Sequence, residues 1–182
     1  LMAITVDALN PVYSSESGVL FNKAKTTLIQ CPQGKTGSYT IPNGVLLIAD
    51  SAFSSCGWLT TVTIPDSVTR IGSFAFSSCD GQVPYEGLST VIIGSGVTNI
   101  GNDAFSDSDF LTGVYFKGNA PSFIDPLFFD AEDVTVYYIM GTSGWPTVPN
   151  TWADRPTALT ALSISPAITN VPSTATSDRI VG

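Results

Sequence analysis

Apolar and polar residues alternate in a phrase that recurs along the chain. In Leu59–Cys79, Val62 and Ile64 alternate with threonines, which predicts a strand with one buried face. The turn Pro65–Ser67 ends this strand, because proline cannot donate a ladder hydrogen bond. Apolar residues return after the turn, up to Phe76. A unit this short cannot bury its own apolar face, so it must stack on copies of itself.

Copies of the phrase follow at a nearly constant spacing. The strand position recurs every 22 or 23 residues, except for an interval of 29 (93 − 64) that holds a turn-rich insertion over 80–87. This column contains Ile41, Ile64, Ile93, Phe116 and Tyr138. A second column contains the pairs Ala52-Phe53, Ala75-Phe76, Ala104-Phe105 and Leu127-Phe128. The matched columns predict a β-rich solenoid of about 23-residue coils, with strands on one side and short helical or irregular turns on the other.

The beginning of the chain departs from the regular coil. Leu1–Val6 matches Leu59–Ile64 position for position and predicts a strand of an N-terminal coil. Gly18–Phe21 and Thr26–Ile29 then predict two strands joined by a hairpin turn. We therefore assign 1–38 to an N-terminal coil with a variant hairpin unit, and 39–133 to regular coils.

The end of the chain changes character twice. Val134–Tyr138 predicts the last stacked strand, and the following residues, rich in Gly, Pro and Trp, predict an irregular C-terminal cap as far as 159. Trp145 and Trp152 are expected to cover the apolar face of the last coil. Residues 160–182 alternate from Leu162 and then become rich in Ser, Thr and Pro, which predicts a linker into a following β-sandwich module.

The repeated phrase resembles a known family. Its Ile-Pro-Asp-Ser-Val-Thr and Ile-Gly-x-x-Ala-Phe-x-x-Cys elements, within Leu59–Cys79, are similar to the BspA-type leucine-rich repeat of bacterial surface proteins. Tyr39–Cys56 and Leu88–Phe110 carry the same motif. The resemblance implies a leucine-rich-repeat solenoid of the α/β class, secretion or surface display in bacteria, and for some members adhesion to host matrix proteins or other cells. It brings no catalytic residues.

Composition excludes several functions. The chain has no histidine, so serine–histidine–aspartate catalysis and histidine-ligated metals are not available to it. A net charge of −8 disfavours nucleic acid, because phosphate binding needs a basic surface. No apolar run reaches the roughly 18 residues of a membrane helix. We expect no enzyme activity, no cofactor, no metal and no membrane span in this chain.

Two clusters admit more than one interpretation. Cys56 and Cys79 lie one coil apart and could form a disulfide. Alternatively, they belong to a ladder of small buried residues that fill the same core position in successive coils, as Ser108 at that position of the next coil suggests. Late acidic residues could hold calcium or could form solvated turns, and the absence of Asp-x-Asp-x-Asp-Gly spacing favours the turns. These acidic residues are Asp103, Asp107, Asp109, Asp125, Asp130, Glu132 and Asp133.

The outward positions of the stacked strands are the candidate contact site. They form a column, named here the outward column: Thr40, Thr63, Ile92, Tyr115 and Tyr137. Threonine suits a solvated sheet, whereas three exposed apolar or aromatic side chains in succession indicate an interaction surface. Alternatively, the cap or the tail beyond Leu159 folds back and covers them. Thr63, Ile92, Tyr115 and Tyr137 are the candidate partner-contact residues.

These observations predict a non-enzymatic, extracellular protein-binding or adhesion module of a bacterial surface or secreted protein. The partner would be a host matrix or cell-surface protein, or a glycan. Two alternatives remain: a structural spacer, or an accessory, carbohydrate-associated domain of a larger secreted enzyme. The sequence does not identify the ligand or the oligomeric state.

Overall fold

The computed structural model describes residues 1–81, 87–146 and 151–160. In this part the chain forms a solenoid of two seven-stranded sheets, which confirms the predicted fold class. The described residues contain no helix, so the connections are turns throughout.

The sheet with the longer strands, named here the long-strand sheet, carries the predicted columns. Its strands stack in parallel, except for the terminal strand Thr151–Trp152, which runs antiparallel to its neighbour. Val62 pairs with Tyr39 and Val91, and Val114 pairs with Val91 and Val136. The strands are β4 (Gly37–Thr40), β6 (Leu59–Ile64), β8 (Thr90–Ile93), β10 (Gly113–Phe116), β12 (Thr135–Ile139), β14 (Arg155–Thr160) and β13 (Thr151–Trp152).

A second sheet, named here the short-strand sheet, was not predicted as a sheet. Each regular coil adds only two residues to it, and Ile48, Ile71 and Ile100 are the buried residues of three such strands. Two residues are too few to show a period-two pattern. The strands are β1 (Tyr13–Glu16), β2 (Val19–Asn22), β3 (Thr27–Gln30), β5 (Leu47–Ile48), β7 (Arg70–Ile71), β9 (Asn99–Ile100) and β11 (Ser122–Phe123).

The third side of the coil consists of turns that are also bonded from coil to coil. The amides of Phe53, Phe76 and Phe105 donate to the carbonyl preceding the next phenylalanine, at 2.7, 2.8 and 3.1 Å. The same spacing stacks the rings from Phe53 to Phe128, with centroids 4.8, 5.4 and 5.4 Å apart. The predicted second column is therefore a continuous buried ladder of phenylalanines.

The long interval between coils leaves the register intact. Ile64 pairs with Ile93 although 29 residues separate them (93 − 64), as expected if the extra residues form an insertion. Residues 82–86 of that insertion lie outside the described residues.

The N-terminal segment confirms one prediction and contradicts another. The hairpin is present as β2 and β3, and an additional strand, β1, pairs antiparallel with β2. Residues 1–6, however, are not a strand. They make scattered hydrogen bonds to the hairpin, such as Ile4 N to Gly18 O at 2.8 Å, and Leu1 is 79% exposed. The three-stranded hairpin lies at the N-terminal end of the short-strand sheet, and β4 is the edge strand of the long-strand sheet.

The C-terminal cap is more regular than predicted. Strand β14 pairs in parallel with β12, so Val134–Tyr138 does not supply the last stacked strand. Pro156 near the start of β14 disfavours a strand in the sequence, although an end position tolerates proline. Trp145 stacks on Tyr138 with ring centroids 5.0 Å apart, and Trp152 makes a T-shaped contact with Phe116 with centroids 5.4 Å apart. Both tryptophans thus cover the apolar end, as expected.

The predicted linker and the start of a β-sandwich module fall at 160–182, and 161–182 lie outside the described residues. The division of the chain into four segments stays a prediction.

Candidate functional site

The outward column exists as a set of direct neighbours. Across the parallel strands, Thr63 pairs with Thr40 and Ile92, and Tyr115 pairs with Ile92 and Tyr137. Because side chains alternate along a strand, all five project from the same face of the long-strand sheet. The sheet therefore brings together every predicted contact residue.

These side chains are less exposed than predicted. Ile92 is buried, with only 8% of its surface exposed, and Tyr115 and Tyr137 are partly buried. The prediction that Ile92 is exposed is wrong. Neighbouring strands are about 4.8 Å apart, so large side chains in consecutive strands cover each other's flanks. The side chains of the apolar part of the face therefore shield one another from solvent.

The two tyrosines form a stacked pair. Their ring centroids are 4.4 Å apart and the planes are inclined by 7°. A side chain at Gly113 would collide with the Tyr115 ring, since its Cβ would lie 2.7 Å from Cε2. The missing side chain lets the ring lie along the sheet. Burial, and secondarily the nearby Tyr137 phenol, raise the pKa of Tyr115 above its usual range.

A hollow of about 270 Å³ opens on the same face, next to Ile92. The floor is formed by outward-column residues, and the walls come from the turns that follow the strands. The full lining is Thr40, Asn43, Thr63, Ile64, Pro65, Asp66, Ile92 and Lys117.

Sequence reasoning missed this hollow, although one signal was present. Gly94 stands where the preceding coil has Pro65 and the following coil has Lys117. A Cβ at Gly94 would lie 2.5 Å from the carbonyl carbon and oxygen of Pro65. The glycine thus permits close backbone packing and leaves a gap between the two flanking side chains.

The cysteines form part of a hydrogen-bonded ladder. All three are free and buried, which favours the interpretation as a ladder of small residues. Cys79 Sγ donates to Phe53 O at 3.1 Å, and Ser108 Oγ donates to Phe76 O, one coil later, at 2.9 Å. Burial is the main cause that raises the pKa of Cys79.

Four of the seven late acidic residues line a second hollow. Asp109, Asp130, Glu132 and Asp133 line a space of about 460 Å³. Within the part of the chain that the structure describes, no group of three or more His, Cys, Asp or Glu side chains is placed to hold a metal ion. An apolar helix of membrane-spanning length is likewise absent from the described residues.

Comparison with known proteins places the repeats in a family. The model of the BspA type leucine rich repeat region matches residues 31–142, more than half of the chain, in six copies. No curated protein matches the chain.

Solved structures of bacterial repeat proteins share the fold. A leucine rich cell surface protein from Faecalibacterium prausnitzii is 28% identical with a TM-score of 0.65, over 78% of this chain and 37% of that one. A leucine-rich repeat protein from Eubacterium ventriosum is 28% identical with a TM-score of 0.62, over 76% and 36%. The pneumococcal vaccine antigen PcpA, at 21% identity and a TM-score of 0.51 over 76% and 45%, shares the fold alone. This chain thus spans little more than a third of the first two proteins.

Proposed function

Because this chain belongs to the BspA-type leucine-rich repeat family, we propose that it is a non-enzymatic module that binds another protein at the bacterial cell surface. The structural match to the cell-surface protein of Faecalibacterium prausnitzii covers 78% of this chain and supports this location. The partner we propose is a host matrix or cell-surface protein, and the biological role is adhesion.

The stacked pair Tyr115–Tyr137 carries the assignment of the contact surface. Tyrosines are enriched among the residues that dominate binding energy, because a ring buries a large area and the hydroxyl can still donate a hydrogen bond. Here two rings are fixed by mutual stacking at 4.4 Å, so little rotamer freedom is lost on binding. Ile92 is a buried apolar neighbour of this pair rather than an exposed anchor.

An array of matrix proteins, cell-surface proteins and glycans tests the proposal. We expect the wild-type chain to bind one or more proteins. The double variant Tyr115→Ser/Tyr137→Ser should lose that binding but still unfold cooperatively, at a temperature lower by a few degrees because the stacked pair is lost. Ile92 is left intact in this variant, because serine at a buried position would disturb the sheet. Protein binding that is unaffected by the double variant would contradict the surface assignment.

The same array separates the two other functions. A structural spacer would bind nothing on the array. An accessory, carbohydrate-associated domain would bind glycans and no protein.

A further inference from the structure

The hollow beside Ile92 is lined by a lysine, Lys117. Lys117 follows β10, lines the hollow and is only partly exposed. Within residues 1–81, 87–146 and 151–160 its ammonium makes no ion pair, since the ion pair found there joins Lys25 and Glu16. Lysine seldom gives up water contact unless it is paired, so this ammonium is available to an external acceptor.

We propose that the hollow binds an acidic segment of the partner protein: an apolar side chain rests on Ile92 and Pro65, and an aspartate or glutamate carboxylate pairs with Lys117. This inference rests on the proposed protein-binding function and adds the chemistry that the partner must present.

The size of the hollow suits a single anchoring side chain. About 270 Å³ is below the roughly 300–1,000 Å³ of typical small-molecule pockets. Ile92 is the apolar part of the floor and Pro65 an apolar wall. Thr40 and Thr63 add hydroxyl groups to the floor, and Asn43 adds an amide to the walls. A partner backbone that runs across the strand ends could use these polar groups.

The charged residues of the hollow indicate which polar group the partner presents beside its apolar side chain. Strand residues on the outward face of β4, β6, β8, β10, β12 and β14 are uncharged, so the hollow's two charged residues dominate the local field. Asp66 Oδ1 already accepts a hydrogen bond from Ser95 N at 2.8 Å, which fixes this carboxylate against the neighbouring turn. Lys117 makes no ion pair within the described residues, so its ammonium is the group of the hollow that a carboxylate of the partner can bind.

A peptide carboxylate fits this surface better than an acidic sugar. Sugar rings commonly stack on an aromatic face, and Tyr137 does not line the hollow. Tyr115 is also absent from the lining of the hollow, which leaves Ile92 and Pro65 as its apolar surface. Aliphatic side chains pack well on such a surface without a stacking platform.

Three fluorescein-labelled libraries of acetylated hexapeptides test the proposal. Every peptide contains a fixed leucine. Two residues after the leucine, on the same side of an extended peptide, the first library carries glutamate, the second glutamine and the third lysine. Fluorescence polarisation is measured with the chain at about 0.15 M salt, where the screening length is about 8 Å and the net charge has little effect at a distance. Oligogalacturonate serves as a competing anionic glycan.

We expect the glutamate library to bind about tenfold more tightly than the glutamine library, and the lysine library to bind most weakly. Lys117→Met, which keeps an apolar stem, should abolish the difference between glutamate and glutamine. Lys35→Met, a matched change of a lysine that lies over the Tyr39 ring at 4.8 Å instead of lining this hollow, should preserve it.

Four results would overturn the inference: equal binding of the glutamate and glutamine libraries, a preference that survives Lys117→Met, no binding of any library, or binding of oligogalacturonate alone. Equal binding that is lost in Tyr115→Ser/Tyr137→Ser would leave the proposed function standing and remove only the acidic segment. Array binding that is insensitive to the tyrosine variant would refute the contact surface itself.

Discussion

Replacing Phe76 by alanine should remove a large share of the stability of the solenoid. The ring is fully buried and stacks on Phe53 and Phe105, at 4.8 and 5.4 Å. Burying a phenylalanine is worth up to about 3 kcal/mol, and the cavity left behind adds to the loss. Two aromatic pairs contribute about 0.5–1.5 kcal/mol each beyond burial. We therefore expect Phe76→Ala to lower the free energy of unfolding by about 4 kcal/mol, near the middle of the range for such changes.

Urea denaturation followed by circular dichroism measures this loss. The matched control is Phe129→Ala, because Phe129 lies beside the ladder residue Phe128 but is 54% exposed. It should cost about 1 kcal/mol or less. Because repeats contact mainly their neighbours, a weakened coil interface can also split the unfolding transition in two. A loss below about 1.5 kcal/mol for Phe76→Ala, or equal losses for both variants, would refute the ladder as the main core.

Three further predictions concern Cys79 in the ladder of small residues, the tyrosine pair and Gly94. Cys79→Ser should cost about 1 kcal/mol or less in urea denaturation, because Ser108 already donates the equivalent hydrogen bond one coil later; a loss above about 3 kcal/mol would contradict this. Tyr115 should ionise above its usual pKa of 10.0 in an absorbance titration, and Tyr137→Phe should lower that pKa. Since the folded-state pKa is raised, the associated stability is present below pH 10 and is lost as the pH rises through the raised value; a Tyr115 that titrates at its usual pKa would contradict the burial argument. Gly94→Ala should destabilise by about 2 kcal/mol or more, because its Cβ would lie 2.5 Å from the backbone of the neighbouring coil, and a neutral change would contradict the close packing.

The stacking could be predicted from the sequence, because its signal repeats. Each coil places a β-branched or aromatic residue at the position of Ile64 and a phenylalanine at the position of Phe76, and the structure puts both columns in the core. Burial on one face of a strand leaves a period-two pattern that needs no knowledge of the neighbours.

Features that depend on contacts between coils could not be predicted in the same way. The short-strand sheet has two residues per coil, too few for a pattern, and β14 begins at Arg155-Pro156, where proline argues against a strand. The burial of Ile92 follows from the side chains beside it rather than from its own strand. The hollow likewise depends on Gly94 lying between Pro65 and Lys117, which are distant in sequence.

One comparison of affinities tests the contact surface most directly. With a protein identified on the array, dissociation constants are measured for wild type, Tyr115→Ser/Tyr137→Ser and Phe129→Ser. Truncating a hot-spot residue of an interface costs at least about 2 kcal/mol of binding free energy. The tyrosine variant should therefore bind at least about 30-fold more weakly. Phe129→Ser, an exposed aromatic away from the long-strand sheet, should bind like wild type. Equal affinity for wild type and the tyrosine variant, or a loss confined to Phe129→Ser, would contradict the account.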